Sequence, residues 1–346
     1  MNKITLTKAQ EERARELHYS SLIIDGLCGN MTNPEPPERD GKTYLQRLEE
    51  SGVRAMNITM TAANDSFEAT LKTFFAYFNL FDYFPGRVMQ VRTAADLERC
   101  HKEKKIGVIF GCQGSEMVGK EFYRWTILRN LGLRICQIAY NEPCTLASGC
   151  MDPKNGGLTF YGIQAVKEMN RLGIVVDLSH VGERSSLEAI ELSTKPCIFS
   201  HSNAKAVTPT TSRNLTDEMI KAVAAKGGVV GLSSHAFLCH HELGVQPTLE
   251  DYMDHFEYMA KLVGTDHIGI GTDMFEYYTK FYWETHTKLF YDSPWFFETV
   301  FNRDLKRVDQ YINVTRGLVA LGFSDEDIRK MLGQNFLRVF REVWGE

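Results

Sequence analysis

Two histidines, an aspartate and an arginine give this sequence its first chemical reading. His180 stands in Asp177-Leu-Ser-His-Val and His201 in Phe199-Ser-His-Ser, 21 positions apart, and each closes a short apolar run. Neutral imidazoles are common ligands of divalent metals, so two brought side by side form the base of a metal site. Asp273 ends another such run and has the chemistry of a carboxylate ligand or of a general base toward water. Arg213, in Thr211-Ser-Arg-Asn, offers a planar guanidinium able to clamp a carboxylate through two parallel hydrogen bonds. A single strand-end histidine is usually a hydrogen-bonded structural residue, and a single arginine usually a surface ion pair. The weight lies in the combination.

These groups act together only if the chain brings the run ends to one place. Eight near-continuous apolar runs recur: Leu22–Asp25, Ala55–Met60, Ile106–Gln113, Arg134–Tyr140, Ile174–His180, Cys197–His201, Gly228–His235 and His267–Asp273. Such runs suit strands buried on both faces, the habit of parallel sheets. The segments between them read as helices. Gly162–Gly173 places Ile163, Val166 and Met169 on one face and stops at a glycine, and Leu215–Lys226 opens on a Thr216 capping pattern. Ser324–Trp344 reads as one closing amphipathic helix with Ser324 as its cap. Strand and helix in alternation predict an α/β protein, a single (β/α)8 TIM barrel over residues 1–346.

Active sites of that fold form at the C-terminal ends of the strands. The candidates there are Asp25, the stretch Asn57 to Thr61, Gln113, Tyr140 with Asn141, His180, His201, Ser234 with His235, and Asp273. His180 and His201 close successive strands and therefore meet at the mouth. Asn141 and His235 read as substrate contacts. His267 begins its strand and faces the wrong end, and His240, His241, His255 and His286 read as non-ligands. Phe275–Phe301 breaks the rhythm with twelve aromatics, the start of an excursion over residues 275–312. It reads as packing on the barrel rim or a dimer partner, or as a wall of the substrate pocket.

Bulk composition narrows the classes. The 346 residues, 43% hydrophobic, give ample core, and a net charge of −5 without a basic stripe argues against a nucleic-acid partner. No apolar run is long enough to span a membrane, and the charged N-terminus does not read as a secretory signal. Eight scattered cysteines without a CxxC pair read as buried thiols in a reducing cytoplasm.

The chain resembles the renal (membrane) dipeptidase family of zinc metallopeptidases. The blocks that carry the likeness are Ile24-Asp-Gly, Gly162 to Gly173, Asp177-Leu-Ser-His-Val, Phe199-Ser-His-Ser-Asn-Ala, Ser212-Arg-Asn, Gly269-Ile-Gly-Thr-Asp and Gln334-Asn-Phe-Leu-Arg-Val-Phe. The resemblance implies an amidohydrolase-type barrel cleaving dipeptides, with His180 and His201 on a metal and Arg213 on the substrate's terminal carboxylate. It implies that Asp273 serves the metal site and the attacking water. Homodimers are frequent in that family, and the aromatic-rich segment offers apolar surface for one.

The departures matter as much. Where the family's first strand ends Asp-Gly-His-x-Asp, this chain has Asp25-Gly26-Leu27-Cys28-Gly29. Gln113 replaces the Glu that bridges two metals, and Tyr140 replaces a His that faces the oxyanion. Two dications about 3.5 Å apart repel by roughly 19 kcal/mol at an effective dielectric of about 20. A bridging carboxylate offsets that repulsion; a neutral amide does not. The expectation is one zinc on His180 and His201, with Gln113 or Asp273 and water completing its shell and Asp25 the only other strand-end acid. Tyr140 then serves as the hydrogen-bond donor to the oxyanion, with Glu116 and Asn30 outside the core assignment. The functional expectation is hydrolysis of a dipeptide or similar small amide. The alternatives are a mononuclear amidohydrolase or lyase on another small carboxylated substrate, and a silent binding protein.

Overall fold

A computed structural model of the chain describes residues 4–28, 31, 40–61, 63–276 and 299–345. Asn30 and the body of the aromatic-rich segment, 277–298, lie outside the described residues. Among the described residues nine parallel strands are present: β1 (Ile23–Asp25), β2 (Val53–Thr59), β3 (Val88–Val91), β4 (Ile106–Cys112), β5 (Leu133–Gln137), β6 (Val175–Asp177), β7 (Ile198–Phe199), β8 (Val229–Leu232) and β9 (Ile268–Ile270). Eight of them close a ring, because β1 pairs with both β2 and β9 and β2 pairs onward with β4. Each of the eight apolar runs supplies one barrel strand.

The ninth strand, β3, went unread in the sequence. It lies along the first half of β4, from Val88 opposite Ile106 to Val91 opposite Ile109, and β5 takes over that edge from Phe110. A four-residue strand with two half-buried members carries too little periodicity to be distinguished from a loop.

Alternation along the strands fills the barrel. Ile24, Ala55, Ile109, Ile135, Val175, Ile198 and Val229 form one apolar cluster with Phe336, Leu337, Phe340 and Trp344 of the last helix. Asn335 Nδ2 donates to the Ile268 carbonyl at 2.8 Å, and Arg338 Nη1 to the Gly227 carbonyl at 2.6 Å, so this helix seals the N-terminal end of the barrel. The single closing helix expected over Ser324–Trp344 is corrected. It consists of Asp325–Arg329, a wider turn at Lys330–Gln334 and Asn335–Trp344. At the wider turn Gly333 leaves helical geometry, and a Cβ there would stand 2.1 Å from the Leu22 carbonyl oxygen, so the approach to β1 needs glycine. At Gly269 a Cβ would fall 2.4 Å from the Phe336 ring, so glycine there admits the plug. With one end sealed, the opposite end, where the strands finish, is left for chemistry.

The helices follow their local signals. Phe160–Leu172 is capped by Thr159, which accepts from the Gly162 amide, and ends on Gly173 at φ +65°. Asp217–Ala225 is capped by Thr216. Among the described residues no helix is long and apolar enough to cross a membrane, and all eight cysteines are free thiols.

Candidate metal centre and active site

The site begins with a buried carboxylate below it. Asp177, the last residue of β6, accepts from the Ser179 and Ser200 amides at 3.0 and 2.9 Å, from Ser200 Oγ at 2.5 Å and from Gln137 Nε2 at 3.1 Å. It therefore staples the end of β6 to the end of β7. Immediately beyond the two stapled ends stand His180, in the left-handed region at φ +66°, and His201. Their Nε2 atoms face each other at 2.9 Å.

Each ring is gripped at its other nitrogen. His201 Nδ1 meets Ser200 Oγ at 2.7 Å, and His180 Nδ1 meets Asn141 Oδ1 at 2.7 Å. Tyr140 stacks on the His180 ring with centroids 4.0 Å apart and planes 20° apart. Burial first, and then the Arg213 charge, hold both imidazoles well below the usual histidine range, so both are neutral near pH 7. Neutral imidazole is the metal-ligating form.

Arg213 is 6% exposed, with Nη1 on Ser202 Oγ at 2.6 Å and Nη2 on the His201 carbonyl at 2.5 Å. Its Nε has no hydrogen-bond partner, and its two Nη atoms are on a hydroxyl and a carbonyl rather than a carboxylate. A buried guanidinium with no carboxylate in contact can receive one. A pocket of about 140 Å³ lies against His180 and Arg213, walled by Cys150, Asp152, Lys205 and Thr216. A larger cavity of about 460 Å³ lies elsewhere, against Leu6, Glu11, Glu250 and Arg316, remote from these groups.

Asp273 sits just past β9 at φ +55°, its amide on the Leu27 carbonyl at 2.8 Å. Burial pushes its carboxyl up to about 7, with Arg213 opposing and Asp25 adding to the rise. Among the described residues no group of three or more His, Cys, Asp and Glu side chains is placed to hold a metal. Asp273 therefore does not join the two histidines as a third ligand within this structure. Gln113, 8% exposed at the end of β4, has its amide on Thr59 Oγ1 at 3.2 Å, and no hydrogen bond links its side chain to either imidazole.

Asp25 has a different employment from the one expected of it. Its carboxylate is fully buried and takes the Leu27 and Thr272 amides at 3.0 Å each, Thr272 Oγ1 at 2.6 Å and the Tyr311 hydroxyl. Four donors occupy its lone pairs, leaving none for a metal. Glu116 is likewise engaged elsewhere, on the Thr145 amide and hydroxyl at 2.7 and 3.2 Å. His235 Nδ1 accepts from the Phe237 amide at 3.3 Å, which leaves its hydrogen on Nε2, and its ring packs edge-on to Phe301 at 5.5 Å. Burial and Arg213 bring His235 down to about 4. Asn141, expected to touch substrate, has its Oδ1 on His180 Nδ1 and so also orients that ring.

The donor set decides what fits. Two zinc–nitrogen bonds of about 2.05 Å at a tetrahedral angle place the nitrogens roughly 3.3 Å apart, so the imidazoles need open by only a few tenths of an ångström. The described residues fit one divalent cation through His180 and His201, and they supply no anionic cage for a second. Sequence reasoning missed Asn141, Ser200 and Asp177 as supports. The signal present was the adjacency of Ser200 and His201, but it says nothing of which atoms meet.

Three comparisons bear on this geometry. Residues 11–280 match the profile of the membrane dipeptidase family, peptidase family M19. The dipeptidase tcpJ of Claviceps purpurea is 29% identical over 266 residues, covering 76% of this chain and 57% of its own. The dipeptidase verJ of Clonostachys rogersoniana is 27% identical over 289 residues, covering 83% and 68%. The chain thus spans little more than half the length of the first of these relatives. A crystal structure described as an amidohydrolase from Pseudomonas aeruginosa is 33% identical, with a TM-score of 0.86 over 96% of this chain and 99% of the other.

Proposed function

From the premise that this chain belongs to the membrane dipeptidase family, peptidase family M19, we propose that it is a metal-dependent hydrolase of a dipeptide or similar small amide, working with one zinc per chain. The observation that carries this reading is the pair of neutral imidazoles with Nε2 atoms 2.9 Å apart, backed at both Nδ1 atoms. A divalent cation held there supplies Lewis acidity, the chemistry that makes water nucleophilic near neutral pH.

The protein groups divide the remaining work. Arg213 holds the substrate's carboxylate, which restores a counter-anion to a buried cation and fixes the scissile amide relative to the imidazoles. Asp273, with its carboxyl near 7, takes a proton from water and returns it to the leaving amine. Tyr140, stacked on His180, serves as hydrogen-bond donor to the carbonyl oxygen as negative charge develops there. His235 offers its Nε2 hydrogen to substrate. The reading places the protein in the cytoplasm as a homodimer, on the thiol content and the family likeness.

Elemental analysis of purified protein, followed by a dipeptide panel, tests this. About one zinc per chain is expected, with activity abolished in His180→Ala and KM raised in Arg213→Ala. Dipeptide activity surviving His180→Ala would sink the metal mechanism. The Pseudomonas relative's description as an amidohydrolase favours a second reading, an amide other than a peptide, and activity confined to non-peptide amides would select it.

A further inference from the structure

We propose that Ser200, backed by Asp177, and Asn141 are positioning residues that fix the hydrogen of both imidazoles on Nδ1, so that two bare Nε2 lone pairs face one another. The proposal deepens the metal-centre reading and rests on it for the identity of the cation. The steps concern hydrogen count. Asp177 Oδ1 takes the Ser179 and Ser200 amides, and Oδ2 takes the Ser200 hydroxyl and Gln137 Nε2, the contact pattern of a carboxylate. A carboxylate only accepts, so the single hydroxyl hydrogen of Ser200 points at Asp177 Oδ2, 2.5 Å away. The Ser200 oxygen, 2.7 Å from His201 Nδ1, can then only accept from it. His201 therefore carries its hydrogen on Nδ1.

The second ring is fixed independently. An amide oxygen has no hydrogen, and Asn141 Oδ1 lies 2.7 Å from His180 Nδ1 while also receiving the Cys150 thiol at 3.3 Å. His180 is thus held as the same tautomer, and its orientation is reinforced by the Tyr140 stack. A neutral imidazole has one N–H, so neither Nε2 carries one. Two lone pairs 2.9 Å apart repel unless a cation lies between them. The two supports therefore make the pair a preformed receptor for a cation, a selection the histidines alone would not make.

Asp177→Asn is the sharpest variant, because it keeps the shape. Its amide can donate to Ser200, whose hydroxyl then turns toward His201 Nδ1 and drives the ring hydrogen to Nε2. Ser200→Ala removes the acceptor, Asn141→Ala removes the other, and Ser200→Thr preserves the hydroxyl. With 15N-labelled histidine, two-bond proton–nitrogen spectra report the tautomer in metal-free and Zn2+-loaded protein, and chelator competition reports Zn2+ affinity. Both rings of the unsubstituted protein should show hydrogen on Nδ1. Asp177→Asn and Ser200→Ala should shift His201 and weaken Zn2+ by about 10–100-fold, Asn141→Ala should do so through His180, and Ser200→Thr should restore binding. An unsubstituted ring lacking hydrogen on Nδ1 overturns the proposal. So does an unchanged His201 spectrum and Zn2+ affinity in folded Asp177→Asn and Ser200→Ala proteins. Should the unsubstituted protein take up no Zn2+, the hydrolase reading fails, while the metal-free spectra still decide the tautomers.

Discussion

The mouth of this barrel carries the same hydrogen-bonded staple twice, and only one copy has a histidine pair beyond it. At the β6–β7 junction Asp177 takes the amide two residues on and both the amide and hydroxyl of Ser200. At the β1–β9 junction Asp25 takes the amide two residues on and both the amide and hydroxyl of Thr272. Three residues beyond the aspartate the copies part. One has His180, aimed at His201; the other has Cys28, fully buried with Sγ 3.7 Å from the Met274 carbonyl. The staple therefore forms whether or not a histidine follows it, and an aspartate in such a place is not by itself evidence of a ligand.

The largest expected effect breaks the comparison outright. Giving the β1 side the family's ligands, Leu27→His, Gly29→Asp and Gln113→Glu together, should raise bound zinc from about one to about two per chain by elemental analysis, since the added anions offset a repulsion of roughly 19 kcal/mol. An unchanged stoichiometry would show that the first-strand scaffold no longer admits a metal. On the intact side, His201→Ala should lower zinc affinity by more than about 100-fold, beyond the range usual for outer supports.

Next in size is Arg213→Ala, which should cost about 1.5–3 kcal/mol of substrate binding, read as KM rising 10- to 100-fold or so with a smaller change in kcat. Thr272→Val sharpens the comparison from the silent side. It removes one charge-assisted hydrogen bond to buried Asp25, so denaturant unfolding should show a loss of about 1–3 kcal/mol with zinc affinity intact. A zinc defect there would mean that the two staples are coupled.

The smallest effect is in pH. Burial raises Asp25 to about 7, above an unfolded value near 4. Between those values the native state binds the extra proton, so this group's contribution to stability is present at low pH and falls as pH rises through 7. Asp25→Asn should remove that slope and gain on the unsubstituted protein between about pH 5 and 8. His18, fully buried and lowered to about 4 by burial, slopes oppositely: its contribution is lost as pH falls from about 6.5 toward 4. Urea midpoints across that range in the two backgrounds separate the terms.

Much of the fold was legible because parallel strands buried on both faces leave unbroken apolar runs, whatever their partners. β3 was not, since Val88–Val91 is short and half-buried, and the closing helix was misread as continuous because nothing local reveals that Gly333 meets the Leu22 carbonyl. In the site, His180, His201 and Arg213 were readable as a set. The partners that Asn141 and Asp25 take, His180 and Thr272, were not readable, because residue type does not say which hydrogen-bond partner a side chain finds.

The sequence by itself determined which residues stand at the strand ends, and that positions 27, 29 and 113 carry no metal-binding acid or imidazole. Periodicity and residue identity are local, so no tertiary information was needed. Only the tertiary structure decided that Asp25 closes on Thr272 and Tyr311, that the Asp273 amide meets the Leu27 carbonyl, and that Asn141 and Ser200 back the two rings. Those outcomes depend on side-chain direction between segments far apart in the chain, and that direction exists only once the barrel has closed.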